Sequence, residues 1–100
     1  MSYKQRGQNE KYPVEVEIWR LGDKVPEWLS DRARIKFIDG EGNMTLDRRD
    51  HGSGGFEIIS ADGIHPLVNI SERDGVVCFG DGRIFGLRKR QFEILYWSMV

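Results

Sequence analysis

Four Asp-Gly pairs, at residues 39–40, 62–63, 74–75 and 81–82, punctuate the chain from residue 39 onward. Each stands where one short apolar run ends and the next begins. Asp-Gly is the dipeptide of tight turns, because both residues tolerate the left-handed backbone that a two-residue hairpin requires. Turns at this spacing leave no room for long helices, so the segments between them are predicted to be strands.

The runs fit that reading. "VEVEIWR" alternates, with Val14, Val16 and Ile18 on one side and Glu15, Glu17 and Trp19 on the other, the pattern of a strand with one buried face. "RIKFI" and "NMTLDR" flank "DGEG" as a hairpin. Gly52, Gly54 and Gly55 mark a loop before the strand "FEIIS". "ADG" turns into "IHPLVNI", where Pro66 requires an edge or a bulge. "VVCF" is apolar on both sides and is expected to be central. "RIFGL" follows the last Asp-Gly, "RKRQFE" suits one helical turn, and "ILYWSM" closes as a strand. In "GDKVPEWLSDR", Asp23 and Pro26 are placed to start a helix of one or two turns, with Val25, Trp28 and Leu29 on one side. Residues 1–12 are polar and without apolar period, and are read as a flexible tail; residues 13–100 are read as one β-rich domain. The predicted class is mainly β, α+β with one short helix. Six or seven short strands would make a strongly bent antiparallel sheet or a small, partly open β-barrel.

Composition narrows the functions. One hundred residues bury roughly two-thirds of the unfolded surface in a single core. The balance of 15 basic and 16 acidic residues lacks the cationic surplus of a duplex binder. A single cysteine, Cys78, excludes an internal disulfide and gives no Cys-based zinc site. No apolar run approaches the ~20 residues of a membrane helix, and no hydrophobic signal core opens the chain. The expected setting is the cytoplasm.

The motifs that invite chemistry each have a plainer explanation. Gly80, Gly82 and Gly86 have G-x-G-x-x-x-G spacing between predicted strands, whereas a phosphate cradle precedes a helix; Asp81-Gly82 reads as a hairpin turn. Asp39, Glu41, Asn43, Thr45, Asp47 and Asp50 fall at calcium-loop positions, yet Met44 occupies the place of the required glycine. His51 and Ser53 sit in a glycine loop with no orienting acid. His65 adjoins Pro66 as a structural or surface residue. Cys78 lies in the most apolar strand, where an inert thiol is expected. No catalytic constellation, cofactor or metal is therefore expected.

What remains are cations and rings. Arg83, Arg88, Lys89 and Arg90 precede Tyr96 and Trp97, and together could hold an anion or a partner. The same cations also suit a solvated sheet edge. Trp19 stands opposite the aliphatic side of the first strand, as an interface anchor or as filling for a second core. Three binding functions follow: a protein partner first, a nucleotide-like anion second, and single-stranded nucleic acid on an OB-like barrel last, for want of basic surplus. An unpaired sheet edge also offers a route to a homodimer.

Both ends of the chain, "YPVEVEIWRLGDKVPEWLSD" and "DGVVCFGDGRIFGLRKRQFEILY", resemble a widespread group of small phage and prophage proteins of unknown function. That group opens with "K-x-V-E-V-x-x-x-x-W" before a short helix and closes with "G-E-x-Y-x-C-K-P-x-x-F-x-x-x-Y". Gly82 matches the turn glycine, Phe85 the aromatic, Arg88 the lysine, Phe92 the phenylalanine and Tyr96 the tyrosine. Arg83 replaces the acid, Leu87 the cysteine and Lys89 the proline, and residues 40–70 have no counterpart. The resemblance implies a phage-encoded accessory protein of the bacterial cytoplasm, with no catalytic residues to carry over. In that setting the protein partner expected first is a host protein that it binds and inhibits, such as a component of a defence system, a reading motivated by the missing catalytic constellation, the near-zero net charge and the 11 aromatic residues.

Overall fold

The computed structural model describes residues 2–7, 10–38, 44–46, 55–70 and 74–98. The protein is mainly β, with nine antiparallel strands and two short helices among the described residues: β1 Ser2–Gln5, β2 Glu15–Arg20, α1 Glu27–Ser30, β3 Ala33–Ile38, β4 Met44–Leu46, β5 Gly55–Ser60, β6 Pro66–Ile70, β7 Val76–Gly80, β8 Arg83–Leu87, α2 Lys89–Leu95 and β9 Tyr96–Ser98. The strands form two sheets, β8-β7-β2-β1-β9 and β4-β3-β5-β6. They do not close into a barrel: β6 lies beside β8, but no ladder joins them.

The five-stranded sheet buries residues on both sides. β7 sits between β2 and β8, and its apolar run serves two cores. Val77 joins Trp19, Phe37, Phe56 and Ile58 between the sheets. Val76 and Cys78 join Val16, Leu87, Phe92 and Tyr96 beneath α2. The central placement predicted for "VVCF" is thus observed, and its cause is period-2 alternation between two covered faces. Pro66 likewise takes an edge position, opening β6, where the register against β5 shifts between Ile58 and Ile59. The preceding turn is held by Asp62, whose carboxylate accepts from the Ser60 hydroxyl and from the Ile64 amide at 3.0 Å. The Ser60 bond, followed by the amide, lowers the Asp62 pKa.

Three local expectations are corrected. Residues 1–12 are not all tail, since Ser2–Gln5 forms β1 between β2 and β9. Tyr3 packs edge-on against Phe92 at 5.0 Å, and buried Gln5 donates from Nε2 to the Tyr12 carbonyl. Asp23 does not cap α1. It closes the turn after β2, its amide donating to the Arg20 carbonyl and its own carbonyl accepting from Trp19 Nε1, both at 3.0 Å; Pro26 is the N-cap. Finally, Ile94 and Leu95 belong to α2 and not to the closing strand, because Phe92 and Leu95, three residues apart, turn one helical side to the core.

The glycine question is settled by the β7–β8 hairpin. Gly80 pairs with Arg83, and Asp81 and Gly82 make the turn with φ of 52° and 74°, the type I′ signature. A Cβ on Gly80 would stand 2.6 Å from the Glu15 carbonyl oxygen and 2.9 Å from Pro13 Cβ. Gly80 is required by the close approach of the segment entering β2.

Candidate partner-binding face

Alternation and register place Ser2, Lys4, Glu15, Glu17, Trp19, Val77, Phe79, Ile84 and Trp97 on one side of the five-stranded sheet. The second sheet covers only part of this side. Trp19, Val77 and Ile84 lie against it. Ser2, Lys4, Glu15 and Glu17 are exposed, and Trp97 is 47% exposed. A tryptophan so exposed on a sheet is an unsatisfied apolar surface of the kind found at recognition sites.

At the boundary between covered and open surface, α1 adds a second aromatic group. Trp28 stacks on Phe79 with ring centroids 5.2 Å apart and an interplanar angle of 9°. The Arg32 guanidinium lies 4.7 Å from the Phe79 centroid, and its Nη1 donates to the Trp28 carbonyl at 3.3 Å. The cation is thereby oriented while Arg32 itself remains exposed. Three strand spacings, about 15 Å, separate Phe79 from Trp97. Between them lie Lys4, Glu15 and Glu17, so the face is aromatic at both ends and mixed in charge at its centre.

The residues singled out in the sequence are not gathered together. Trp97 lies on this face. Trp19 does not act as a surface anchor: it is 1% exposed, packed edge-on against Phe56 at 5.2 Å. Tyr96 is equally buried, and its hydroxyl donates to the Pro13 carbonyl at 2.7 Å. Arg83 donates from Nη2 to the Lys11 carbonyl at 3.3 Å and lies over Phe85. Arg88, Lys89 and Arg90 line a separate cavity of about 570 Å3, shared with Asp74 and Glu93, whose carboxylates oppose an anion there. Trp28, Phe79 and Arg32 were not singled out. The available signal was the Trp-x-x-x-Arg spacing in "WLSDR", which puts ring and cation one helical turn apart.

Cys78 is fully buried, and burial pushes its thiol up to about 12. It is protonated at neutral pH and is no nucleophile. His65 is exposed in the β5–β6 turn. The calcium-loop positions, apart from the backbone of Thr45, and the pair His51 and Ser53 lie outside the described residues. Among the described residues, no helix is long and apolar enough to cross a membrane. No family model matches the chain, and no curated protein or solved structure is significantly similar to it.

Proposed function

We propose that this is a non-enzymatic protein that works by binding another protein through the open side of its five-stranded sheet. The observation that carries the reading is the pairing of half-exposed Trp97 with the Trp28–Phe79–Arg32 stack on one continuous face. Trp and Arg are the residues most often responsible for interface energy, and a mixed-charge surround suits a polar protein surface better than a polyanion. The finer setting belongs to the same proposal: a phage-encoded accessory protein in the bacterial cytoplasm that inhibits a host protein. That part is supported by the resemblance of the two chain ends alone.

The test is affinity capture from bacterial lysate with wild type, Trp97→Ser and Arg32→Ala side by side. The wild type is expected to retain one stoichiometric partner. Each variant, folded by circular dichroism, is expected to lose affinity by about thirtyfold, the equivalent of about 2 kcal/mol for an interface anchor. Equal retention by all three proteins, or no partner at micromolar bait, overturns the reading.

A further inference from the structure

The connection from β2 to β3, residues 21–32, packs along one flank of the layer between the sheets. Leu21, Val25 and Trp28 lie against that core, and Leu29 belongs to it. Between this connection and β3 is a cavity of about 510 Å3, within the range of about 300–1,000 Å3 that small-molecule sites occupy.

Its depth is apolar. Ala33, Ile35 and Phe37, the inward row of β3, form the floor, and half-buried Val25 lines it from the connection. The row begins with its smallest member. Ala33 leaves open the volume that a leucine or isoleucine would fill there, and atoms beside such a space lack the dispersion contacts that an apolar guest restores.

The polar groups stand at the mouth, where Lys24 and Ser30 are exposed. The Ser30 hydroxyl is already turned to the Glu27 carbonyl at 3.4 Å. Arg34 also lines the cavity, but it is half-buried and has a partner of its own. The Lys24 ammonium is therefore the group that meets a ligand, and among the described residues no carboxylate lines the cavity beside it. One ammonium matches one negative charge, which suits a monocarboxylate better than a phosphate monoester carrying nearly two.

We propose that this cavity binds a straight-chain aliphatic monocarboxylate of medium length, with its alkyl chain on Ala33, Ile35 and Phe37 and its carboxylate at the mouth beside Lys24. None of the lining residues belongs to the proposed protein-binding face.

The experiment is an NMR titration of the full chain, at low salt, with octanoate, hexanoate and octylammonium. Octanoate is expected to shift the methyl groups of Val25, Ala33 and Ile35 and the amides of Lys24 and Val25. It should bind about fifteenfold tighter than hexanoate, the equivalent of two buried methylenes at about 0.8 kcal/mol each. Octylammonium has the same chain and the opposite charge, and should bind about fivefold more weakly, near the most that an exposed ion pair supplies. Lys24→Gln is expected to abolish that preference and to leave the chain-length dependence intact. Ala33→Leu, shown to be folded by circular dichroism, should weaken binding of both eight-carbon ligands at least about tenfold, because its side chain takes the place of theirs.

Trp97→Ser should bind octanoate like wild type, which separates this result from failure of the protein-binding face. The proposal is overturned by equal affinity for octanoate and octylammonium, by hexanoate binding as tightly as octanoate, or by undiminished binding to folded Ala33→Leu. Shifts elsewhere in the chain, or none at about 10 mM octanoate, a concentration that reveals millimolar affinity, overturn it equally. If Ala33→Leu does not fold, the ligand series and Lys24→Gln decide the matter.

Discussion

The two cores of the molecule are built from different chemistry. Between the sheets, Trp19, Leu29, Ile35, Phe37, Phe56, Ile58, Val68 and Val77 form an almost wholly apolar layer, whose single indole N–H is satisfied at the Asp23 carbonyl. Beneath α2, the apolar residues are laced with polar groups: the Tyr96 hydroxyl on Pro13, Gln5 on Tyr12, the Cys78 thiol and the cation of Arg20 over Phe92. The first core resists through shape alone. The second also depends on hydrogen bonds and on protonation state.

The largest effect should come from emptying the apolar layer. Phe56→Ala is expected to lower stability by about 3–5 kcal/mol in urea denaturation, through lost burial plus the cavity left behind. Tyr96→Phe, which keeps the ring and removes one oxygen, should cost less, about 1–3 kcal/mol, because the buried Pro13 carbonyl loses its donor. If both substitutions cost the same, the contrast between the cores fails. The mildest probe is alkaline pH. Burial raises Cys78 from its ordinary 9.0 to about 12, and chiefly burial raises Tyr96 from 10.0 to about 12. Below about pH 8 both groups are protonated in the folded and unfolded chains, and neither contributes a slope. Between there and about 12 only the unfolded chain releases these protons, so stability falls as pH rises. Cys78→Ala and Tyr96→Phe should each flatten that decline, and Phe56→Ala should leave its slope unchanged.

The same contrast explains which parts of the fold were legible in the sequence. β7 was readable because hydrocarbon covers both of its sides, and the Asp81-Gly82 turn because its backbone demands those residues. β1 was not, since its inward residues are Tyr3 and Gln5, a phenol and an amide whose burial depends on Phe92 and Tyr12 from elsewhere in the chain. In β2 the alternation was correct but its meaning changed along the strand. Glu15, Glu17 and Trp19 share one side, and the second sheet covers only the Trp19 end. A strand pattern reports which residues share a side, not where the covering layer stops. For that reason Trp19 could be read either as an interface anchor or as core filling, and the second sheet, which covers Trp19 but not Glu15 and Glu17, decides for the core.

The outer strand β9 pairs with β1 on one side only. The backbone of Tyr96 is already engaged: its amide donates to the Phe92 carbonyl, and its carbonyl accepts from Arg6 Nε at 3.1 Å across 90 residues of sequence. Arg6 thus blunts the place where another copy would otherwise add a strand. It also imposes an order on assembly. On the ribosome, the segment that becomes β1 emerges long before β9, its neighbour on one side, has been made. The final registration of that sheet must therefore follow translation of Tyr96–Ser98, a late, slow closure of the kind that long-range β pairing imposes.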